Sequence, residues 1–340
     1  MITDAPPVPV FHHLHRLTDE TAIFEHADLA TPLIESGYRV DDVARALVVV
    51  CREPRPAPNV SGLMRRYLDF VLAAVNSSGK VHSRMAVDGA WCDEPGLGDW
   101  WGHAVWALGV AATSAQTTGM QARALAGFRI AAQQSSPELR PMAFAAIGAG
   151  DLLSHRPEEQ SARALLRNAV ETIWWEDCDD SWPWPEARLG YANGALAEAM
   201  IIGGELLVNN PALSRGLEML EFLLQTEKQD GHMSVTPVGG RGRDEPPSGN
   251  DQQPIEVAAI ADACATAYRV TMDRHWLTGI QVAWRWFVGD NDAGVPMFDP
   301  ATGGGYDALE ANGRSLNQSA ESTLAMLSTA QHARRIAKRR

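Results

Sequence analysis

The sequence sets acidic residues beside tryptophan, tyrosine or amide side chains in several long polar segments. Hydrolysis of a glycosidic bond uses two carboxyl groups, roughly 5 Å apart for retention or 6.5–9.5 Å apart for inversion. Glu186 lies in "SWPWPEARLGYAN", where aromatic rings would desolvate its carboxyl and raise its pKa, as a general acid requires. Asp42, in "GYRVDDVARAL", and Asp251, in "NDQQPIE", are candidate general bases that would activate water.

A second set of residues has side chains suited to sugar hydroxyl groups or to the apolar faces of sugar rings. The polar candidates are Asp41, Asp99, His103, Tyr191, Asn193, Gln252, Gln253, Glu256, Asp307, Asn317, Gln318 and Glu321. The stacking candidates are Trp100, Trp101, Trp182 and Trp184. Several of the acids lie at predicted helix starts, where capping of the helix is an alternative interpretation.

Helical periodicity dominates the chain and predicts the elements that position these residues. The predicted helices cover about 11–17, 39–53, 61–76, 100–115, 120–133, 139–153, 159–173, 191–208, 211–228, 254–273, 275–288 and 318–335. Short turns lead into one set of helices, and long loops rich in Gly, Pro, Trp and acids lead into most of the other set. This alternation predicts an all-α (α/α)6 toroid, in which inner helices point their N-termini at a common cleft.

Composition limits the possible partners. The chain has 340 residues, 45% of them hydrophobic, and no Pro/Ser-rich linker, which favours a single domain over residues 1–340. A net charge of -13 disfavours nucleic acid as a partner. The sequence shows no apolar run of membrane-spanning length and no secretion signal, so a cytoplasmic protein is expected. Its Cys and His spacings match no metal site, and no phosphate-binding glycine motif is present, so neither a metal nor a cofactor is expected.

Long strings in the sequence resemble a known bacterial family. They are "HLHRLTDETAIFEHA", "GYRVDDVARALVVVCRE", "NDQQPIEVAAIADACATAYRVTMDRHW", "WRWFVGDNDAGVPMFDPATGGGYDAL" and "NQSAESTLAML". The family consists of six-hairpin-glycosidase-like (α/α)6 domains that occur alone or fused behind glycosyltransferase domains. The resemblance spans nearly the whole chain and implies an (α/α)6 fold and work on carbohydrate. The chain departs from the family pattern at Gly98, His103 and Ala192, where acids and an arginine are lost.

Three functional hypotheses follow. The first is a glycoside hydrolase that acts, with inversion, on an oligosaccharide or polysaccharide, or a phosphorylase if phosphate is required. The second, favoured by the lost acids, is a non-catalytic toroid that binds glycan and assists a separately encoded glycosyltransferase. The third is a sugar epimerase or isomerase, which would need two facing histidines such as His103 and His232. The acidic string at 177–180 also resembles the D-x-D-D proton donor of terpene cyclases, although a lone acidic string is more typical of a solvated loop.

Overall fold

The computed structural model describes residues 10–54, 56–176, 179 and 181–337, and twelve α-helices dominate this part of the chain. The helices, in chain order, are α1 (His12–Arg16), α2 (Val40–Cys51), α3 (Pro58–Ala74), α4 (Asp99–Ser114), α5 (Thr118–Ala131), α6 (Leu139–His155), α7 (Gln160–Ile173), α8 (Asn193–Leu206), α9 (Asn210–Thr226), α10 (Pro254–Thr271), α11 (His275–Phe287) and α12 (Ala320–Ala337). A short 3-10 helix covers Ile34–Ser36.

The even-numbered helices form a closed inner ring. Each contacts the next, from α2 through α4, α6, α8 and α10 to α12, and α12 returns to contact α2. Each odd-numbered helix from α3 to α11 packs outside the inner helix that precedes it, as α3 does on α2 and α9 does on α8, and the short α1 contacts α12. The predicted (α/α)6 toroid is therefore confirmed, and each predicted inner helix corresponds to a member of the ring.

The composition of the inner helices follows from their burial on several sides. In α8 every residue from Asn193 to Gly204 is buried, whereas α7 on the outside buries only its apolar stripe. Small residues let the inner helices approach closely. A Cβ atom added at Gly109 on α4 would lie 2.2 Å from the carbonyl oxygen of Gly148 on α6, so neither helix could carry a side chain at that crossing without moving.

Within the described part of the chain, ten two-residue strands form five antiparallel pairs in the loops. The strands are β1 (Ala27–Asp28), β2 (Thr31–Pro32), β3 (Tyr38–Arg39), β4 (Arg84–Met85), β5 (Arg188–Leu189), β6 (Lys228–Gln229), β7 (His232–Met233), β8 (Arg241–Gly242), β9 (Leu309–Glu310) and β10 (Gly313–Arg314). Two pairs join loops that are distant in sequence, β3 with β4 and β5 with β8, and thereby order the segments that precede α2 and α8.

None of the described helices is both long and apolar enough to cross a membrane.

Candidate active site

A cavity of about 430 Å³ opens at the end of the ring where the inner helices begin. This N-terminal cavity collects most of the acids that the sequence singled out. Its carboxyl groups belong to Glu25, Asp41, Asp42, Asp99, Asp307 and Glu321, and its other predicted site residues are Trp100, Tyr191 and Gln253. The positive ends of the helix dipoles stabilise carboxylates at such positions, so the fold itself favours an acidic site here.

Arg45, one turn into α2, organises the acids of the cavity. Its guanidinium donates to Asp42 at 2.9 Å and to Glu321 on α12 at 2.7 Å, and lies 3.7 Å from Asp41. Asp41 is also held by Arg39, whose Nε lies 3.0 Å from one of its oxygens. Sequence analysis missed Arg45 as a site residue. Its spacing of three and four residues from the two aspartates was the available signal, because such residues share one face of a helix.

The two neighbouring aspartates differ in their electrostatics. Burial raises the pKa of Asp42 well above its ordinary value, because one Arg45 guanidinium is shared among three carboxyl groups and the nearby charge of Asp41 also opposes ionisation. For Asp41, burial acts in the same direction, but the guanidinium groups of Arg45 and Arg39 outweigh it and lower the pKa. Asp41 is therefore ionised, whereas Asp42 retains a proton to higher pH.

Asp99, the first residue of α4, faces the cavity, and its carboxyl group has no partner among the described residues. No described residue forms a hydrogen bond or an ion pair with its carboxyl group, whereas Asp41, Asp42, Asp307 and Glu321 all have such partners. Burial raises the pKa of Asp99, and the charge of Asp41 adds to the effect. Asp99 thus keeps its proton to higher pH than an ordinary aspartic acid, and no described residue occupies its carboxyl group.

The neighbouring aromatic residues divide between the cavity and the core. Trp100 lines the cavity, and its indole N–H is anchored to the carbonyl of Val81 at 2.8 Å. Tyr191 also lines it, and burial raises the pKa of its phenol well above the ordinary value. Trp101 has no exposed surface and donates to the carbonyl of Ala131, so it packs the core and offers no face to a sugar.

Trp182 and Trp184 are also buried, with their rings against Phe222 of α9. Neither lines the N-terminal cavity, so Trp100 is the predicted stacking residue that the fold brings to it. The pattern "WPWPE" therefore serves packing of the loop before α8. In this loop, the indole of Trp182 donates to the backbone carbonyl of Glu186 at 2.7 Å.

Two of the three residues predicted to be catalytic lie apart from the cavity lining. The carboxylate of Glu186 pairs with Arg140 of α6 and is not desolvated among aromatic rings. Asp251 is exposed, has a positive φ of 57°, and accepts a backbone hydrogen bond from Val238 through its carbonyl. Asp42 alone of the three lines the cavity.

The residues after Asp251 have largely architectural contacts. Glu256, one turn into α10, accepts hydrogen bonds from the backbone N–H groups of Ala192 and Asn193 at 2.6 and 3.2 Å, where α8 begins. Burial raises the pKa of Glu256 to about 8. Gln252 is fully buried and bonds Trp286 and Asp292 through its two amide atoms. These contacts hold α8, α10 and the loops around them in register.

The polar residues before α12 have similar contacts. Asp307 accepts from the backbone N–H and the hydroxyl of Ser319, both at 2.7 Å, and from the hydroxyl of Ser322 at 2.5 Å, so it caps α12 from a distant loop. Asn317 accepts from the backbone N–H of Leu29 at 2.9 Å. The side chain of Gln318 accepts from Thr302 at 2.6 Å.

Histidines are scarce at the cavity. His26, with its side chain 57% exposed, is the one histidine among the described lining residues. His103 is buried behind Asp99, and burial lowers the pKa of its ring to about 3. His232 pairs with Asp292 at 3.0 Å, outside the cavity lining. Three residues of the acidic string 177–180, namely 177, 178 and 180, lie outside the described residues.

Solved structures share the fold at low sequence identity. A sugar epimerase from a ruminal bacterium matches with a TM-score of 0.70 and 11% identity over 95% of each chain. The cellobiose 2-epimerase of Bacillus thermoamylovorans matches with a TM-score of 0.69 and 12% identity over 96% of this chain and 95% of that chain. A GH76 α-mannanase of Bacteroides thetaiotaomicron matches with a TM-score of 0.63 and 11% identity over 95% of this chain and 92% of that chain. No protein-family model and no curated protein sequence matches.

Proposed function

We propose that the protein is a glycoside hydrolase whose active site is the N-terminal cavity. The observation that carries the proposal is Asp99, a cavity carboxyl group with a raised pKa and no described protein partner. The cavity also contains Asp41, whose pKa is lowered by the guanidinium groups of Arg45 and Arg39 against the effect of burial, and Glu321, which is paired with Arg45. Carboxyl groups whose environments separate their pKa values are the acid and base that glycoside hydrolysis requires.

In the proposed mechanism, Asp99 is the general acid and protonates the glycosidic oxygen as the bond to the leaving sugar breaks. Glu321 is the general base, since its Oε2 is paired with Arg45 while its Oε1 has no described donor and its side chain is 33% exposed. It takes a proton from the water that attacks the anomeric carbon. Asp42, which the sequence suggested as the base, suits this role less well because burial raises its pKa.

The lining also supports a neutral carbohydrate as the substrate. Six carboxyl groups face the cavity beside two arginines, Arg39 and Arg45, and both are already paired with acids. An anionic sugar would therefore meet an unfavourable field. Trp100 supplies the apolar face on which a sugar ring can stack. A volume of about 430 Å³ is within the range of small-molecule sites.

Sugar epimerisation is the second candidate, because structures named as epimerases share the fold. This reaction would need two histidines to remove a proton from a sugar carbon and return it. The cavity does not support that mechanism, because His26 is the one histidine among the described lining residues. A role beside a glycosyltransferase stays a prediction. It would require glycan binding at the cavity without turnover.

The test is product analysis by mass spectrometry and NMR, with purified protein and a panel of α- and β-linked gluco- and manno-oligosaccharides, with and without phosphate. We expect shorter sugars in wild type, and a loss of kcat of about 10²–10⁴-fold in Asp99→Asn. Glu94→Gln is the matched control, since Glu94 is an exposed acid of the loop that precedes α4. An isomer of unchanged mass would favour epimerisation, and binding without any product would favour the accessory role. Full activity of Asp99→Asn would refute the assignment of the acid.

A further inference from the structure

A second cavity lies at the opposite end of the ring, where the inner helices end. Its volume is about 920 Å³, compared with about 430 Å³ for the N-terminal cavity. Part of the wall of this C-terminal cavity is apolar and comprises Val110, Ile147, Ile202, Leu277 and Ile280. Its polar floor comprises Arg52, Asp151, Glu198 and Asp262. The proposed hydrolase mechanism uses none of these residues.

Asp262 on α10 presents an acceptor to this cavity. Its Oδ1 accepts from Arg52 at 2.8 Å, from His332 at 2.5 Å and from Ser328 at 3.2 Å. Its Oδ2 accepts from no described residue, although Asp262 is only 7% exposed. Burial acts to raise the pKa of Asp262, but the Arg52 charge and the His332 contact outweigh it, and the net shift is downwards. An ionised carboxylate therefore has one oxygen left for a ligand.

Arg52 presents donors beside that acceptor. Its Nη1 makes the bonds to Asp262 and Ser328, while its Nη2 and Nε donate to no described residue. The guanidinium lies over the indole of Trp106, 5.5 Å from the ring centroid, which fixes its plane. Nη2 and Nε form one edge of the planar guanidinium, which can donate to two neighbouring oxygens of one ligand.

Two further carboxyl groups, of Glu198 and Asp151, add hydrogen-bonding capacity to the floor. Glu198 on α8, 4% exposed, accepts from Thr266 at 2.7 Å through Oε1 and has no described partner at Oε2. Burial, and then the charge of Asp262, raise the pKa of Glu198 to about 8, so it is largely protonated at neutral pH. Burial also raises the pKa of Asp151, whose carboxyl bonds no described residue. A protonated carboxyl both donates and accepts.

We propose that the C-terminal cavity is a second binding site, for a neutral saccharide of one or two sugar units. Hydroxyl groups donate and accept at once, which matches a floor where free donors of Arg52 adjoin a free acceptor of Asp262. The charges of Arg52 and Asp262 cancel each other. Arg335, which also lines the cavity, donates to the backbone carbonyl of Arg52 at 3.0 Å and has no described acid partner, so phosphate is included in the test as the competing class of ligand. Arg269 at the rim is already paired with Glu205 at 2.9 Å. The apolar wall suits the C–H faces of a sugar, and the volume suits a small ligand.

The experiment is isothermal titration calorimetry of the full chain with glucose, mannose, galactose and cellobiose, and with inorganic phosphate and spermidine as ionic probes. We expect at least one of the four sugars to bind, and Arg52→Lys to weaken that binding about tenfold or more, since lysine lacks the planar fork. Ala265→Trp, on the cavity wall, should remove the binding that belongs to this cavity and so lower the number of sugars bound per chain. The matched controls are Arg65→Lys and Ala73→Trp, two exposed positions of α3.

The proposals for the C-terminal cavity and for the active site can be refuted independently of each other. Trp100→Ala, in the N-terminal cavity, should leave the titration of the C-terminal cavity unchanged. Binding of none of the four sugars would overturn the proposal, as would sugar binding whose stoichiometry and affinity Ala265→Trp leaves unchanged. Tighter binding of phosphate or spermidine than of any sugar, lost in Ala265→Trp, would overturn the neutral class of ligand. Circular dichroism verifies that each variant is folded. If Arg52→Lys does not fold, Ala265→Trp still tests the site.

Discussion

The carboxyl group of Glu256 accepts a hydrogen bond at 2.6 Å from the backbone N–H of Ala192, so one inner helix caps the start of its neighbour. Ala192 itself has a left-handed conformation, with φ 48°. The contact joins residues 64 positions apart and closes the ring between α8 and α10. An acid that the sequence suggested for substrate binding therefore has a structural role in the free protein.

The first prediction concerns the stability that this cap supplies. Glu256→Ala should lower the free energy of unfolding by about 2–3 kcal/mol, because the buried N–H groups at the start of α8 would lose their acceptor. Glu256→Gln keeps an acceptor oxygen and should cost less. Urea denaturation of the two variants measures the difference. Equal stability of Glu256→Ala and wild type would contradict a capping role.

The second prediction concerns stability against pH. Burial raises the pKa of Glu256 in the folded protein to about 8, above the ordinary value of 4.5. The unfolded chain therefore loses this proton first as pH rises, and the contribution to stability declines between pH 4.5 and pH 8. Thermal unfolding of wild type should show Tm falling across this window, with a smaller fall in Glu256→Gln. Parallel curves for the two proteins would contradict the raised pKa.

The third prediction separates two adjacent tryptophans. Trp100→Ala removes a ring that lines the N-terminal cavity and should raise KM roughly fivefold, corresponding to about 1 kcal/mol of stacking. Trp101→Ala removes a fully buried ring and should destabilise the fold by about 3–5 kcal/mol. Steady-state kinetics and urea denaturation of both variants provide the comparison. The assignment fails if Trp100→Ala is the more destabilised variant and its KM is unchanged.

The fourth prediction compares two acids that compete for one role. Glu186→Gln should retain kcat within roughly a factor of three, since it removes a partly exposed ion pair with Arg140 outside the cavity lining. Asp99→Asn should remove the decline of kcat at high pH, because a general acid must be protonated and the pKa of Asp99 is raised. A pH profile of kcat for both variants decides between them. The opposite pattern would return the acid role to Glu186.

Much of the architecture was predictable because helical periodicity is local. The apolar stripe of each segment predicted twelve helices, and the alternation of short turns with long loops predicted an inner ring. The helices predicted to be inner are the ones that form the ring. The residue types at the inner helix starts also predicted that acids would gather at one end. Asp41, Asp42, Asp99 and Glu321 do line one cavity.

The role of each polar residue depended on contacts that no local pattern contains. Arg45 meets Glu321 across 276 positions. Burial raises the pKa of Asp42, whereas the guanidinium groups of Arg45 and Arg39 outweigh burial at Asp41 and lower its pKa. Adjacent residues such as Trp100 and Trp101 diverge because successive side chains on a helix point in different directions, one to the cavity and one to the core. The sequence by itself thus determined the ring and where its acids gather. Tertiary structure alone decided which acids cap helices, which pair with arginine and which is left free, because charge, burial and partner are set by neighbours far along the chain.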